Sequence, residues 1–222
     1  MIDVKEQEEL FQLISDVLEE DISCIAIGGT AMMFSGYKAT TKDIDLVFKN
    51  AQDRDIFVKA IYDLGYRQKT LKGIYDEKRI EHPGKPTMFT RGDERFDLFV
   101  VDIFGFQLDF SDKNIVQKQV FSGKKKLTLV VLPKEYLILL KSVTSRPKDF
   151  EDIVTIINLE KEVDWDVIID AAFRQEKNNS WIVLDLEETM LKLKKFIPQK
   201  IFDRIYRKDK TKDKAEKRKK QS

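Results

Sequence analysis

GGTAMMFSGYKATTKDIDLVF, residues 28–48, is the stretch on which the fold turns. It opens with Gly28, Gly29 and Thr30 and closes with Asp43 and Asp45, one residue apart beside an apolar run. CIAIG (24–28) reads as a short buried strand ending in glycine, TAMMFSG (30–36) as a short helix and DIDLVF (43–48) as a second strand. Successive side chains on a strand point to opposite faces, so Asp43 and Asp45 share one face while Ile44 and Leu46 take the other. Two carboxylates this close repel each other unless a cation lies between them. Hard oxygen ligands on a strand suit Mg²⁺, which takes its remaining ligands from water and phosphate. Glycines let backbone approach a ligand closely, and the free N–H groups that open a helix favour an anion. A phosphate cradle followed by a metal-binding pair is coherent for phosphoryl or nucleotidyl transfer. A lone D-x-D is most often solvated strand-edge polarity, and a lone G-G is most often a turn. The order strand, GGT, helix, D-x-D on a strand is what makes the combination specific.

Outward from this stretch the pattern is mixed, then helical. Residues 4–19 carry Leu10, Phe11, Ile14, Val17 and Leu18 at helical spacing. Residues 53–64 form a helix that stops at Gly65. Residues 66–94, rich in Lys, Gly and Pro, hold one or two short strands and a loop. RFDLFVVDIF (95–104) and LTLVVL (127–132) are strands. KEYLILLKSV (134–143), DFEDIVTIINL (149–159), 164–173 and a segment from 181 to 196 are helices, the first two separated by a break at 145–147. The expectation is an α/β (α+β) core over 1–132, a small mixed twisted sheet flanked by helices. A C-terminal helical region over 133–206 and a basic, disordered tail over 207–222 follow.

The motif order resembles the nucleotidyltransferase superfamily, the DNA polymerase beta-like fold, over roughly residues 22–155. It is most similar to minimal prokaryotic members such as the AbiEii-type toxins. The segments that carry the resemblance are GGTAMMFSGYKATTKDIDLVF, RFDLF and EYLILLKSVTSRPKDFEDI. The resemblance implies an enzyme that moves a nucleoside monophosphate from an NTP, ATP included, to an acceptor and uses Mg²⁺ or Mn²⁺. It implies Asp43 and Asp45 as metal ligands and a third carboxylate on a later strand. Asp97 fits that context best, with Asp102 as the fallback; on a regular strand the two face opposite sides. The plainer reading of Asp97 is a surface partner for Arg95 or a nearby lysine. Gly28, Gly29 and Thr30, with Lys42, are the expected nucleotide-binding residues. Lys141 is expected as a cation for the triphosphate, with Asp149 holding it. Asp149 and Asp152 can equally be first-turn charges of a helix that starts at Pro147. One departure from the family pattern is Ala39 where an arginine is common, which leaves Lys38 or Lys42 as the phosphate-side cation.

Composition bounds the rest. A single cysteine, Cys24, excludes an internal disulfide and reads as a small core residue. No apolar run approaches the ~20 residues that span a bilayer, and MIDVKEQEEL lacks a signal peptide's apolar stretch. The expectation is a soluble cytoplasmic protein with no membrane partner. The lone His82 in a polar loop has no role, and zinc or Ser-His-Asp chemistry has no support. Phe89, Phe104 and Phe106 are candidate stacking aromatics, although core positions suit them better. Residues 207–222 hold nine basic and three acidic side chains, net +6 in a chain of net +1, so the remainder is net −5. Such a tail is either a solvated end or a nucleic-acid arm. Candidate acceptors are RNA such as tRNA, a protein hydroxyl and a small molecule, and a toxin setting implies a cognate antitoxin protein as partner. The alternative is a catalytically inactive nucleotidyltransferase fold that binds a partner protein or nucleic acid.

Overall fold

The structure is a computed structural model, and it describes residues 1–206 except 75, 113, 114, 116, 145 and 161. The tail assigned above to 207–222 lies outside the described residues. In chain order the elements are β1 (Ile2–Asp3), α1 (Val4–Val17), β2 (Ile22–Ala26), α2 (Gly28–Phe34), β3 (Thr40–Thr41), β4 (Ile44–Phe48), α3 (Ala51–Asp63), β5 (Arg67–Lys69), α4 (Glu77–Glu81), β6 (Thr87–Arg91) and β7 (Glu94–Val100). There follow β8 (Asp102–Ile103), β9 (Phe106–Gln107), β10 (Lys118–Ser122), β11 (Lys126–Val131), α5 (Lys134–Thr144), α6 (Pro147–Leu159), α7 (Trp165–Gln175) and α8 (Ile182–Lys192). The chain divides into two compact units, Met1–Pro133 and a second from Lys134 onward.

The first unit is a mixed sheet in the order β10-β11-β2-β4-β7-β6-β5. Strands β11 and β2 pair in parallel, as do β4 and β7, while β2 and β4 run antiparallel. The central strands read as near-continuous apolar runs because both faces are covered. Ile25, Leu46, Val47 and Phe48 are buried. Helices α1 and α3 pack on each other and on the sheet. Phe57 of α3 meets Phe48 and Phe96 at ring-centroid distances of 5.3 and 5.5 Å. Helix α1 is closed at its start by a capping box in which Asp3 accepts from the Glu6 N–H and Glu6 from the Asp3 N–H. Cys24 is fully buried, and burial pushes its thiol far up, so it is an inert core residue.

Several boundaries differ from the sequence expectation for tertiary reasons. The segment 95–104 is not one strand: β7 ends at Val100, because Val101 takes a left-handed φ of 60° and the chain turns into β8. Helix α2 begins at Gly28, two residues earlier than its pattern suggests. Strand β10 and helix α4 were not legible, since the first exposes most of its residues and the second buries none. Phe89 and Phe106 are buried core residues, whereas Phe104 is half-buried against His82 and Phe99.

In the second unit α5 buries Tyr136 through Ser142 without a break, as a helix surrounded by others must. Helices α6, α7 and α8 pack against it. Among the described residues no helix is long and apolar enough to cross a membrane.

Candidate active site

Strand pairing brings the sequence candidates of the first unit together. Asp45 on β4 and Asp97 on β7 are direct partners in a parallel ladder, so their side chains leave the same face of the sheet. Asp43 sits just before β4, two residues from Asp45, and is on that face too. Asp97 is wholly buried, and the Asp43 side chain is 30% exposed. The opposite face carries Phe48 and Phe96, which seat α3. The expected single strand from 95 to 104 would have set Asp102 against Asp97 by parity alone. Instead Asp102 lies in the next hairpin, where its carboxylate accepts from the Gly105 N–H at 2.7 Å and caps the turn.

The Gly-Gly-Thr turn is tied to the same aspartate. The Ile27 N–H donates to the Asp45 carbonyl at 3.1 Å, and the Asp45 N–H donates to the Thr30 hydroxyl at 3.1 Å. Gly28 has φ +54°, and a Cβ placed there would collide with an Asp45 carboxylate oxygen. At Gly29 a Cβ would collide with the Thr41 hydroxyl. Any side chain at either position therefore displaces the carboxylate or its surroundings. Gly28→Ala should cost about 1–2 kcal/mol of stability for the left-handed backbone alone. Its transfer rate should fall by more than that stability loss accounts for, because Asp45 must move; a thermal melt and a rate assay on one preparation separate the two.

Arg95 is the residue that sequence reasoning placed only as a surface partner. Its guanidinium pairs with Asp43 and, at 3.2 Å, with Asp97. Among the described residues no group of three or more Asp, Glu, His or Cys side chains is placed to hold a metal ion. The donor chemistry nevertheless fits a divalent cation. Two of the three carboxylates already share one cationic group, and the third sits against the Gly28 backbone in the space that a side chain there would fill, so hard oxygen donors are gathered at one place. Lys42 is exposed and borders a cleft of about 440 Å³ together with Arg91 and Arg95, so it stands near the site without touching the aspartates.

Lys141 and Asp149 belong to the second unit. Lys141 is 6% exposed and its Nζ lies 2.6 Å from Asp152 and 3.4 Å from Asp149. Asp149 also accepts from Arg146 Nε at 2.6 Å and from the Thr144 hydroxyl at 2.8 Å. Burial pushes the Asp149 carboxyl up, but Arg146, Lys141 and Thr144 together outweigh it and hold the group below its ordinary value. Its stabilising contribution is thus complete above the usual carboxylate range of ~4 and is lost as pH falls through the lower folded value. Asp149→Asn should be less stable than the natural chain at neutral pH, with the gap closing toward strong acid; melts from neutral to acid pH check this.

A mixed sheet that gathers a Gly-Gly-Thr turn and strand-borne carboxylates on one face is the architecture of an enzyme that transfers nucleotides. The family model described as "Nucleotidyltransferase of unknown function (DUF6036)" matches residues 5–200, and the chain belongs to that family. Two solved structures of ANT(2'')-Ia are similar in fold. The solution structure of this antibiotic-resistance factor is 15% identical, covers 79% of this chain and 95% of its own, and has a TM-score of 0.50. The crystal structure of ANT(2'')-Ia in complex with adenylyl-2''-tobramycin is 15% identical, with coverages of 77% and 97% and a TM-score of 0.47. No curated protein matches the chain.

Proposed function

We propose that this nucleotidyltransferase moves a nucleoside monophosphate from an NTP to an acceptor hydroxyl and releases pyrophosphate. Asp43, Asp45 and Asp97 would hold Mg²⁺ or Mn²⁺. The observation that carries the proposal is the pairing of Asp45 with Asp97, beside a glycine turn that leaves no room for a side chain. When bound, the divalent cation supplies neutralisation of triphosphate charge. Gly28 and Gly29 offer backbone to the β- and γ-phosphates, and Thr30 fixes the turn to Asp45. Asp97, buried beside Asp45, orients and activates the acceptor hydroxyl. Lys42, exposed and next to Asp43 in the chain, would supply positive charge toward phosphate. Lys141 is the proposed further cation, with Asp149 holding it; their 3.4 Å contact supports this, and the shorter contact to Asp152 makes the group a helix clamp as well.

The finer parts of the same proposal are an AbiEii-like toxin setting with a cognate antitoxin, and RNA such as tRNA as acceptor, reached through residues 207–222. They are supported by the motif order and by the net +6 of that segment. The experiment is a thermal melt with each NTP, with and without Mg²⁺, on the natural chain and on Asp43→Ala. A Mg²⁺-dependent rise with an NTP that Asp43→Ala loses is the expected result. An identical rise in both proteins, or none with any NTP, would contradict the assignment.

A further inference from the structure

Arg95 is the second residue of β7 and shares the face of Asp97. A single nitrogen of its guanidinium, Nη2, makes both ion pairs, one to Asp43 and one to Asp97. Its Nε is buried and makes no hydrogen bond. An arginine built into a permanent structural pair uses its planar fork on a carboxylate and satisfies its buried donors. Arg95 instead behaves as a point charge between two acids, which is the part a metal ion plays. With the Arg95 side chain 19% exposed and Asp97 wholly buried, water screens this pairing weakly. The arginine also borders a cleft of about 440 Å³ lined by the acids Glu6, Glu9, Asp93 and Glu94 and by the cations Lys42 and Arg91; Arg91 already holds Glu94, so Glu6, Glu9 and Asp93 are the acids left to receive Arg95 there.

We propose that Arg95 is a displaceable counter-ion of the carboxylate site. It occupies the place between Asp43 and Asp97 in the empty enzyme and swings toward Glu6, Glu9 and Asp93 in the adjoining cleft when a divalent cation enters. The proposal rests on the assignment of Asp43, Asp45 and Asp97 to that cation. It makes the empty site a poor binder of the bare ion, so that metal enters with the nucleotide, whose phosphates add ligands. Arg95 is in this sense a positioning residue that couples metal entry to substrate.

The test is Mn²⁺ titration followed by electron paramagnetic resonance of the free ion. It is run on the natural chain and on Arg95→Gln, with and without a non-hydrolysable ATP analogue. Without nucleotide, Arg95→Gln should bind Mn²⁺ about tenfold tighter or more, because a competing positive charge has been removed from the site. With the analogue the two proteins should differ less. Equal affinity without nucleotide, alongside nucleotide-dependent binding by both, overturns the counter-ion and leaves the carboxylate assignment standing. Absence of Mn²⁺ binding by either protein in any condition overturns both. An Arg95→Gln protein that folds only with Mn²⁺ present supports the proposal. Should it fold in neither condition, Arg95→Lys decides: its shorter stem loosens the double pair, so tighter Mn²⁺ binding supports the counter-ion and unchanged binding overturns it.

Discussion

The Asp43→Asn/Asp45→Asn double variant is expected to lose nucleotide transfer by at least ~10³-fold, since it would remove two of the three proposed metal ligands where even one preorganised electrostatic group is commonly worth 10²–10³. The fold should survive. Asp43 is 30% exposed, and Arg95 keeps Asp97 as a counter-ion after the substitution. Like-charge repulsion alone would have made the variant slightly more stable than the natural chain. With Arg95 already paired to Asp43, that repulsion is partly offset in the natural chain and the variant loses this ion pair, so it should melt at the same temperature or slightly below. A rate assay and a melt on one preparation decide the matter. Loss of folding in place of loss of rate would make these aspartates structural.

The second large effect is on stability. Lys141→Ala should destabilise the helical unit by about 3–5 kcal/mol, because it leaves two buried acids without their shared cation. The acids are Asp149, 1% exposed, and Asp152, 11% exposed by side chain. Arg146 and Thr144 still serve Asp149, and the Lys141 contact to Asp152, at 2.6 Å, is shorter than the one to Asp149, at 3.4 Å, so the larger part of the loss falls at Asp152. Neutralising it should therefore recover stability: Lys141→Met with Asp152→Leu should regain much of what Lys141→Ala loses. Denaturant unfolding of the single and double variants measures the coupling. A loss under ~1 kcal/mol for Lys141→Ala would show that the lysine is not a clamp between α5 and α6.

The D-x-D pair, the glycine turn and the third carboxylate were legible because each rests on a local rule: parity along a strand, glycine where backbone approaches, and an acid in an apolar strand. Choosing Asp97 over Asp102 needed more than parity, since the chain breaks at Val101 with φ 60° and Asp102 caps the following hairpin. A left-handed valine carries no sequence signal. The resemblance pointed to Asp97, and the parallel register with Asp45 places it beside the pair. Arg95 was legible only as a possible neighbour of Asp97, and then as a surface one. That Asp97 is buried and that Asp43 shares the same guanidinium are consequences of β4 lying next to β7, a contact between segments about fifty residues apart. Strand β10 escaped for a similar reason. KQVFS has one buried residue and is a strand because β11 offers it an edge. For Lys141, helical spacing showed the residue but not its depth. A lysine flanked by Leu139, Leu140 and Ser142 is inside the helix bundle only because three helices surround α5.

The measurement that bears most directly on the central claim is transfer of label from two forms of one NTP, labelled at the α-phosphorus or at the γ-phosphorus. Each is incubated with the protein, Mg²⁺ and a cell lysate that supplies acceptors. An enzyme that transfers a nucleoside monophosphate through Asp43, Asp45 and Asp97 places the α-label on an acceptor and releases the γ-label as pyrophosphate. Both outcomes should require Mg²⁺ or Mn²⁺ and disappear in the Asp43→Asn/Asp45→Asn variant. Transfer of the γ-label to the acceptor, or α-label transfer that persists undiminished in the double variant, would contradict the account.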